Sequence, residues 1–109
     1  MPGEEAVVEQ VNDENFQEFV AEGVVAVDCY ADWCPPCKML SPVIQKLSGE
    51  MQDIKFGKLN TDENPKTAEE FQIRSIPNIL VFKKGKLADQ IIGFYPEEKL
   101  REIFKAFLK

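Results

Sequence analysis

With 109 residues the chain fits one domain, 1–109, at about 100 to 200 residues per domain, and a two-domain enzyme is excluded. Apolar residues at 44% and charged residues at 29% are globular proportions, so disorder is excluded and a core around eight Phe is feasible without disulfide staples. Thirteen Lys and Arg against 19 Asp and Glu give a net charge of -6 with no basic stripe, which argues against nucleic acid, and the lack of any His removes Cys-His and Ser-His-Asp catalysis.

The start, Met1-Pro2-Gly3-Glu4-Glu5, is acidic where a secretory signal needs a basic segment and an apolar run. The longest apolar stretch, Gly23 to Val27, is far short of the ~18 to 20 residues of a membrane span. A soluble, cytoplasmic protein is expected. Glu5 to Val11 alternates weakly and predicts a short strand. Asn12-Asp13 supply N-cap chemistry ahead of Phe16, Phe19 and Val20, which predicts a helix over 13–22 that Gly23 stops. Val24 to Tyr30 is rich in β-branched residues and almost uncharged, the pattern of a central strand covered on both faces. From Cys34 to about Leu47 the residues Met39, Leu40, Val43, Ile44 and Leu47 repeat at helical spacing, with Ser48-Gly49 as the stop and a kink expected from Pro42.

Ile54 to Asn60 alternates as a third strand, Thr61 to Pro65 is turn chemistry, and a short helix is predicted over 65–72. Ile79 to Lys83 and Lys86 to Ile92, separated by Lys84-Gly85, read as an antiparallel hairpin. Pro96-Glu97-Glu98 opens a last helix whose apolar face is Leu100, Ile103, Phe104, Phe107 and Leu108. The order βαβαβαββα predicts an α/β fold, a central mixed sheet with helices on both faces.

Cys34-Pro35-Pro36-Cys37 carries chemistry by itself. Two cysteines three apart at a helix start can close a small disulfide ring, while free amide donors and the positive dipole end favour a thiolate. Cys34, at the helix tip, is expected to be the more exposed sulfur and the nucleophile; Cys37, a turn deeper, would resolve the mixed disulfide. The competing readings are a structural cysteine pair or half of a zinc knuckle. A zinc site wants about four ligands, and the chain has one further Cys and no His, so no metal is expected. Asp28 stands in an apolar strand, where burial would raise its pKa, and this marks it as a functional candidate.

The segments Val27-Asp28-Cys29-Tyr30-Ala31-Asp32-Trp33-Cys34-Pro35-Pro36-Cys37-Lys38, Arg74-Ser75-Ile76-Pro77, Phe82-Lys83-Lys84-Gly85 and Gly93, in that order, resemble the thioredoxin family over essentially the whole chain. The resemblance implies a mixed sheet flanked by helices, a redox disulfide opening the second helix, and a cis peptide bond before Pro77. It implies that Asp28 is the general acid and base for Cys37, with Lys58 on the same side of the sheet. It also makes Trp33 an exposed aromatic beside the disulfide. Ile76 and Pro77 would face the cysteines and pair with an extended substrate segment, and Gly93 would let a substrate backbone come close.

The chain departs from the family in carrying Pro-Pro where Gly-Pro is usual. Pro35 has no N–H to aim at the Cys34 sulfur, which favours the disulfide, whereas a ring stiffened by Pro35 and Pro36 pulls the other way. Cys29 has opposite strand parity to Asp28 and is expected to be a small buried hydrophobe on the other face. Tyr30 and Asn78 stand where Trp and Thr are frequent.

The expected activity is reduction of protein disulfides by a monomer without a bound cofactor; the resemblance implies that its Cys34-Cys37 disulfide is re-reduced by a thioredoxin reductase drawing on NADPH and flavin or on ferredoxin. The alternatives are a more oxidising oxidase or isomerase, a binding module with incidental cysteines, and a metal or cluster bridging two CxxC pairs.

Overall fold

The order read from the sequence is the order observed: β1 Val8–Gln10, α1 Phe16–Phe19, β2 Val24–Tyr30, α2 Pro35–Glu50, β3 Ile54–Asn60, α3 Pro65–Glu70, β4 Asn78–Lys83, β5 Lys86–Ile92 and α4 Glu97–Ala106. The structure, a computed structural model, describes residues 7–109; the acidic start and the first residues of the predicted Glu5 to Val11 strand lie outside the described residues.

The sheet runs β1-β3-β2-β4-β5. β2 pairs in parallel with β3 and antiparallel with β4, so the apolar run Val24–Tyr30 lies at its centre, as its composition requires. Alternation along β2 splits the core in two. Ala26 shares one face with Phe56, Ile79, Val81 and Ile91, packed under Leu40, Ile44 and Leu47 of α2 and Leu100 and Phe104 of α4. Val25, Val27 and Cys29 share the other with Phe16, Phe19, Leu59, Leu80 and Phe82. Phe16 meets Phe82 edge-on at 5.4 Å between ring centroids. Full burial of a side chain such as Phe104 stabilises by ~1.5 to 3 kcal/mol.

Gly57 is required by packing. A Cβ there would come within 2.7 Å of both Phe19 and Val11. The hairpin turn needs left-handed backbone at two positions, and Lys84 (φ 54°) and Gly85 (φ 83°) supply it.

Several details differ from expectation. The helix predicted over 13–22 is one turn, because Asn12 and Asp13 are used elsewhere: Asn12 Oδ1 accepts from the amides of Glu14 and Asn15, closing a tight turn. Asp13 accepts from the amides of Lys66 and Thr67 and from the Thr67 hydroxyl, capping α3 across the fold rather than α1. Although partial desolvation opposes it, those hydrogen bonds hold the Asp13 carboxyl below its ordinary value.

Ser48-Gly49 does not stop α2, which runs through Pro42 to Glu50. Ser48 Oγ donates to Gln45 O, and Met51 N closes the last turn on Leu47 O. The helix predicted over 65–72 stops at Glu70, and Gln72 takes a left-handed φ of 52°. Leu108 is exposed, past the end of α4, and is no part of its apolar face.

Candidate active site

β2 delivers the chain to a short loop, Ala31-Asp32-Trp33, and the loop ends at the tip of α2. Cys34 is the N-cap, with extended backbone (φ -102°, ψ 104°), and Pro35 and Pro36 are the first two helical residues. Proline is suited to that place because the first amides of a helix have no internal partner. The first amide available is therefore that of Cys37, and it donates to Cys34 Sγ at 3.2 Å. Pro35 removes one donor from the sulfur, yet the helix tip still directs one backbone N–H at it, which favours negative charge there.

Cys34 and Cys37 are joined in a disulfide with Cα atoms 5.3 Å apart. The expectation that Cys34 is the more exposed of the two does not hold in this state: each is 3% exposed, because Ala31, Tyr30 and Ile76 pack around the pair. What distinguishes them is position on the helix.

Asp28 lies on the α2 side of the sheet, and Lys58 is its direct neighbour across the β2–β3 ladder. Both line a cavity of about 230 Å³ together with Cys37, Tyr30, Ala31, Asp32, Lys38 and Ser41. Asp28 is buried, and among the described residues its Oδ1 has no hydrogen-bond partner. Loss of hydration raises its pKa to about 7, with Lys58 pulling the other way. Asp28 and Lys58 thus lie side by side on the face of the sheet that carries Cys37. Cys29, one residue on, points into the opposite core and donates only weakly, at 3.8 Å, to Val27 O. Burial first, and the Asp28 charge second, push its thiol up.

Trp33 is 68% exposed beside the disulfide, and its indole N–H donates to Asp62 at 2.8 Å. The Ile76-Pro77 peptide is cis. The Ile76 carbonyl oxygen lies 3.9 Å from Cys34 Sγ, and Pro77 O accepts from Gly93 N at 2.8 Å. Gly93 has φ 96° and open space where a Cβ would stand. The fold thus gathers Trp33, Cys34, Ile76, Pro77 and Gly93 at one end of the sheet, with Cys37, Asp28 and Lys58 beneath.

Sequence reasoning missed Asp62 and Ser41 as parts of this region, which also holds the Tyr30 that stands in place of a frequent Trp. Asp62 stood in a stretch read only as a turn, 29 residues from the indole it holds. Ser41 follows Cys37 by one helical turn, a spacing that would have put it on the same side of α2. Among the described residues no cluster of three or more His, Cys, Asp or Glu side chains is arranged to hold a metal ion.

The sequence matches the thioredoxin family over residues 7–106. It is 44% identical over 100 residues to the thioredoxin of Staphylococcus haemolyticus, covering 91% of this chain and 96% of that one. To the thioredoxin of Chlamydia caviae it is 42% identical over 94 residues, 86% of this chain and 92% of the relative. Among solved structures it superposes on the thioredoxin of Malassezia sympodialis with a TM-score of 0.86 at 30% identity, over 94% of this chain and 91% of the other. A mutant thioredoxin from Halobacterium salinarum gives 0.85 at 29% identity, over 93% and 90%. With the cysteine pair at the tip of α2, these similarities establish that the chain belongs to the thioredoxin family and is a thiol-disulfide oxidoreductase.

Proposed function

We propose that the protein works as a reductant of protein disulfides, a single thioredoxin domain over 1–109 acting as a monomer in the cytoplasm. Family membership implies disulfide-bearing substrates and a thioredoxin reductase as partners. No helix among the described residues is long and apolar enough to cross a membrane.

In the reduced protein, the Cys34 thiolate attacks a substrate disulfide; one substrate sulfur leaves as thiolate and Cys34 is held in a mixed disulfide. Cys37 then gives its proton to the Asp28 carboxylate and attacks Cys34 Sγ. The second substrate sulfur leaves with its electron pair and takes up a proton. The substrate gains two electrons, and the protein ends with Cys34 joined to Cys37, the state seen here.

Asp28 suits its part because a carboxyl titrating near 7 can both take and return a proton at neutral pH. The cavity beside it has room and polar walls for water, which gives that proton a way out. Trp33, Ile76, Pro77 and Gly93 form the surface that receives the substrate chain, with Lys58 tuning Asp28 and Pro35 and Pro36 shaping the helix tip.

The observation that carries this proposal is the arrangement of Cys34 at the helix tip with Cys37 behind it in the wall of the Asp28 cavity. It is tested by mixing reduced Cys37→Ser protein with insulin and weighing the products. A covalent adduct mapped to Cys34, absent from Cys34→Ser, is the expected result. An adduct on Cys29, or none, would overturn it.

A further inference from the structure

The segment 72–77 carries Ile76 and Pro77 to the cysteine pair, and it is fastened at both ends by one side chain. Gln90 lies on β5, half-buried, opposite Leu80 of β4. Its Oε1 accepts from Asn78 Nδ2 at 2.9 Å, directly after Pro77. Its Nε2 donates to Phe71 O at 3.3 Å, directly before the segment begins. Asn78 is 1% exposed, and among the described residues its Oδ1 is buried without a partner, so the bond to Gln90 is the one hydrogen bond its side chain makes there.

The two groups to be joined are of opposite kind, an amide donor on Asn78 and a carbonyl acceptor on Phe71. A primary amide of this length carries both an acceptor and a donor and bridges them; Leu would bridge neither, and an ionised Glu only the first. Packing alone would be served by an apolar side chain, so the amide calls for another explanation.

We propose that Gln90 is a positioning residue for the reduction of protein disulfides: by tying Asn78 to Phe71 it holds the Ile76-Pro77 segment in the place where an extended substrate chain docks beside Cys34. It acts on substrates that need a docked backbone and leaves small disulfides, which meet only the sulfur, unaffected. The inference rests on the proposal that this segment receives the substrate.

The test uses fully reduced full-length protein and its Gln90→Leu variant in single turnover, with insulin as the docked substrate and 5,5′-dithiobis(2-nitrobenzoate) as the small one. The expected result is a half-saturating insulin concentration about five- to tenfold higher with the limiting rate nearly unchanged, and an unaltered rate with the small reagent. Hydrogen exchange of the Ile73 and Gly93 amides, bonded to Ala68 O and Pro77 O, should quicken in the variant. Gln90→Glu keeps the acceptor for Asn78 and loses the donor to Phe71, and it carries the same predictions should Gln90→Leu fail to fold.

Unchanged exchange would overturn the clamp. Faster exchange with unchanged insulin saturation would overturn the positioning role, tracing the fault to where the substrate docks. An equal loss on both substrates would also overturn it, because the effect would then lie at the sulfur.

Discussion

Asp28 and Cys29 are neighbours on the same strand, both buried and both with pKa values raised by lost hydration, yet they belong to different parts of the molecule. Asp28 faces a cavity shared with Cys37 and has the Lys58 charge beside it, so it stays within reach of neutral pH. Cys29 faces aromatic and aliphatic side chains with no compensating charge, and its thiol is held protonated. Burial alone does not make a reactive group; burial next to a polar outlet and an opposite charge does.

The widest separation between the two sides of β2 is expected from removing sulfur. Cys34→Ser should abolish insulin reduction, whereas Cys29→Val should leave its rate within about twofold and its stability within about 1.5 kcal/mol, since a small apolar side chain replaces a small apolar one. A large rate loss in Cys29→Val would break the contrast.

Next comes Asp28→Asn. The mixed disulfide should resolve on the order of 100-fold more slowly at pH 7, read by quenched-flow trapping, as general acid–base help is worth that much. Stability should move the other way. The folded carboxyl titrates at about 7, above its ordinary 3.8, so the fold binds the proton more tightly than the unfolded chain does. The parent's stability is therefore intact below pH ~4 and falls as pH rises through 7. The Asn variant escapes this loss and should gain roughly 4 kcal/mol over the parent above pH 8, at about 1.4 kcal/mol per pH unit, and nothing below pH 4, measured by urea unfolding across that range.

Smaller effects sharpen the same contrast. Lys58→Met removes the charge that opposes the rise at Asp28, so the acid limb of the resolution rate should shift to higher pH. Cys29→Ser puts a hydroxyl into the apolar core and should destabilise by ~1 to 3 kcal/mol without changing the pH profile.

Much of this division was legible in the sequence because strand alternation is a strict period: Asp28 and Cys29 must part company, and Phe56 and Lys58 must agree. The cysteine pair declared itself by spacing and by the two prolines between. Less legible was anything set by partners distant in sequence. Asp13 looked like the cap of its own helix and instead caps α3, more than fifty residues on. Ser48-Gly49 looked like a stop, but both are buried within α2. The hold of Asp62 on Trp33 and of Gln90 on Asn78 joins side chains of ordinary type at unremarkable spacings, and only the fold brings them together.

The reduction potential of the Cys34–Cys37 pair tests the reductase proposal most directly, by equilibration in defined thiol buffers and counting alkylated cysteines by mass, with Cys29 as the internal control. The account predicts a value near or below the about -270 mV characteristic of thioredoxin itself, with Cys29 unmodified in the native protein throughout. A value near -180 mV or higher would contradict it and identify an oxidant or isomerase in its place.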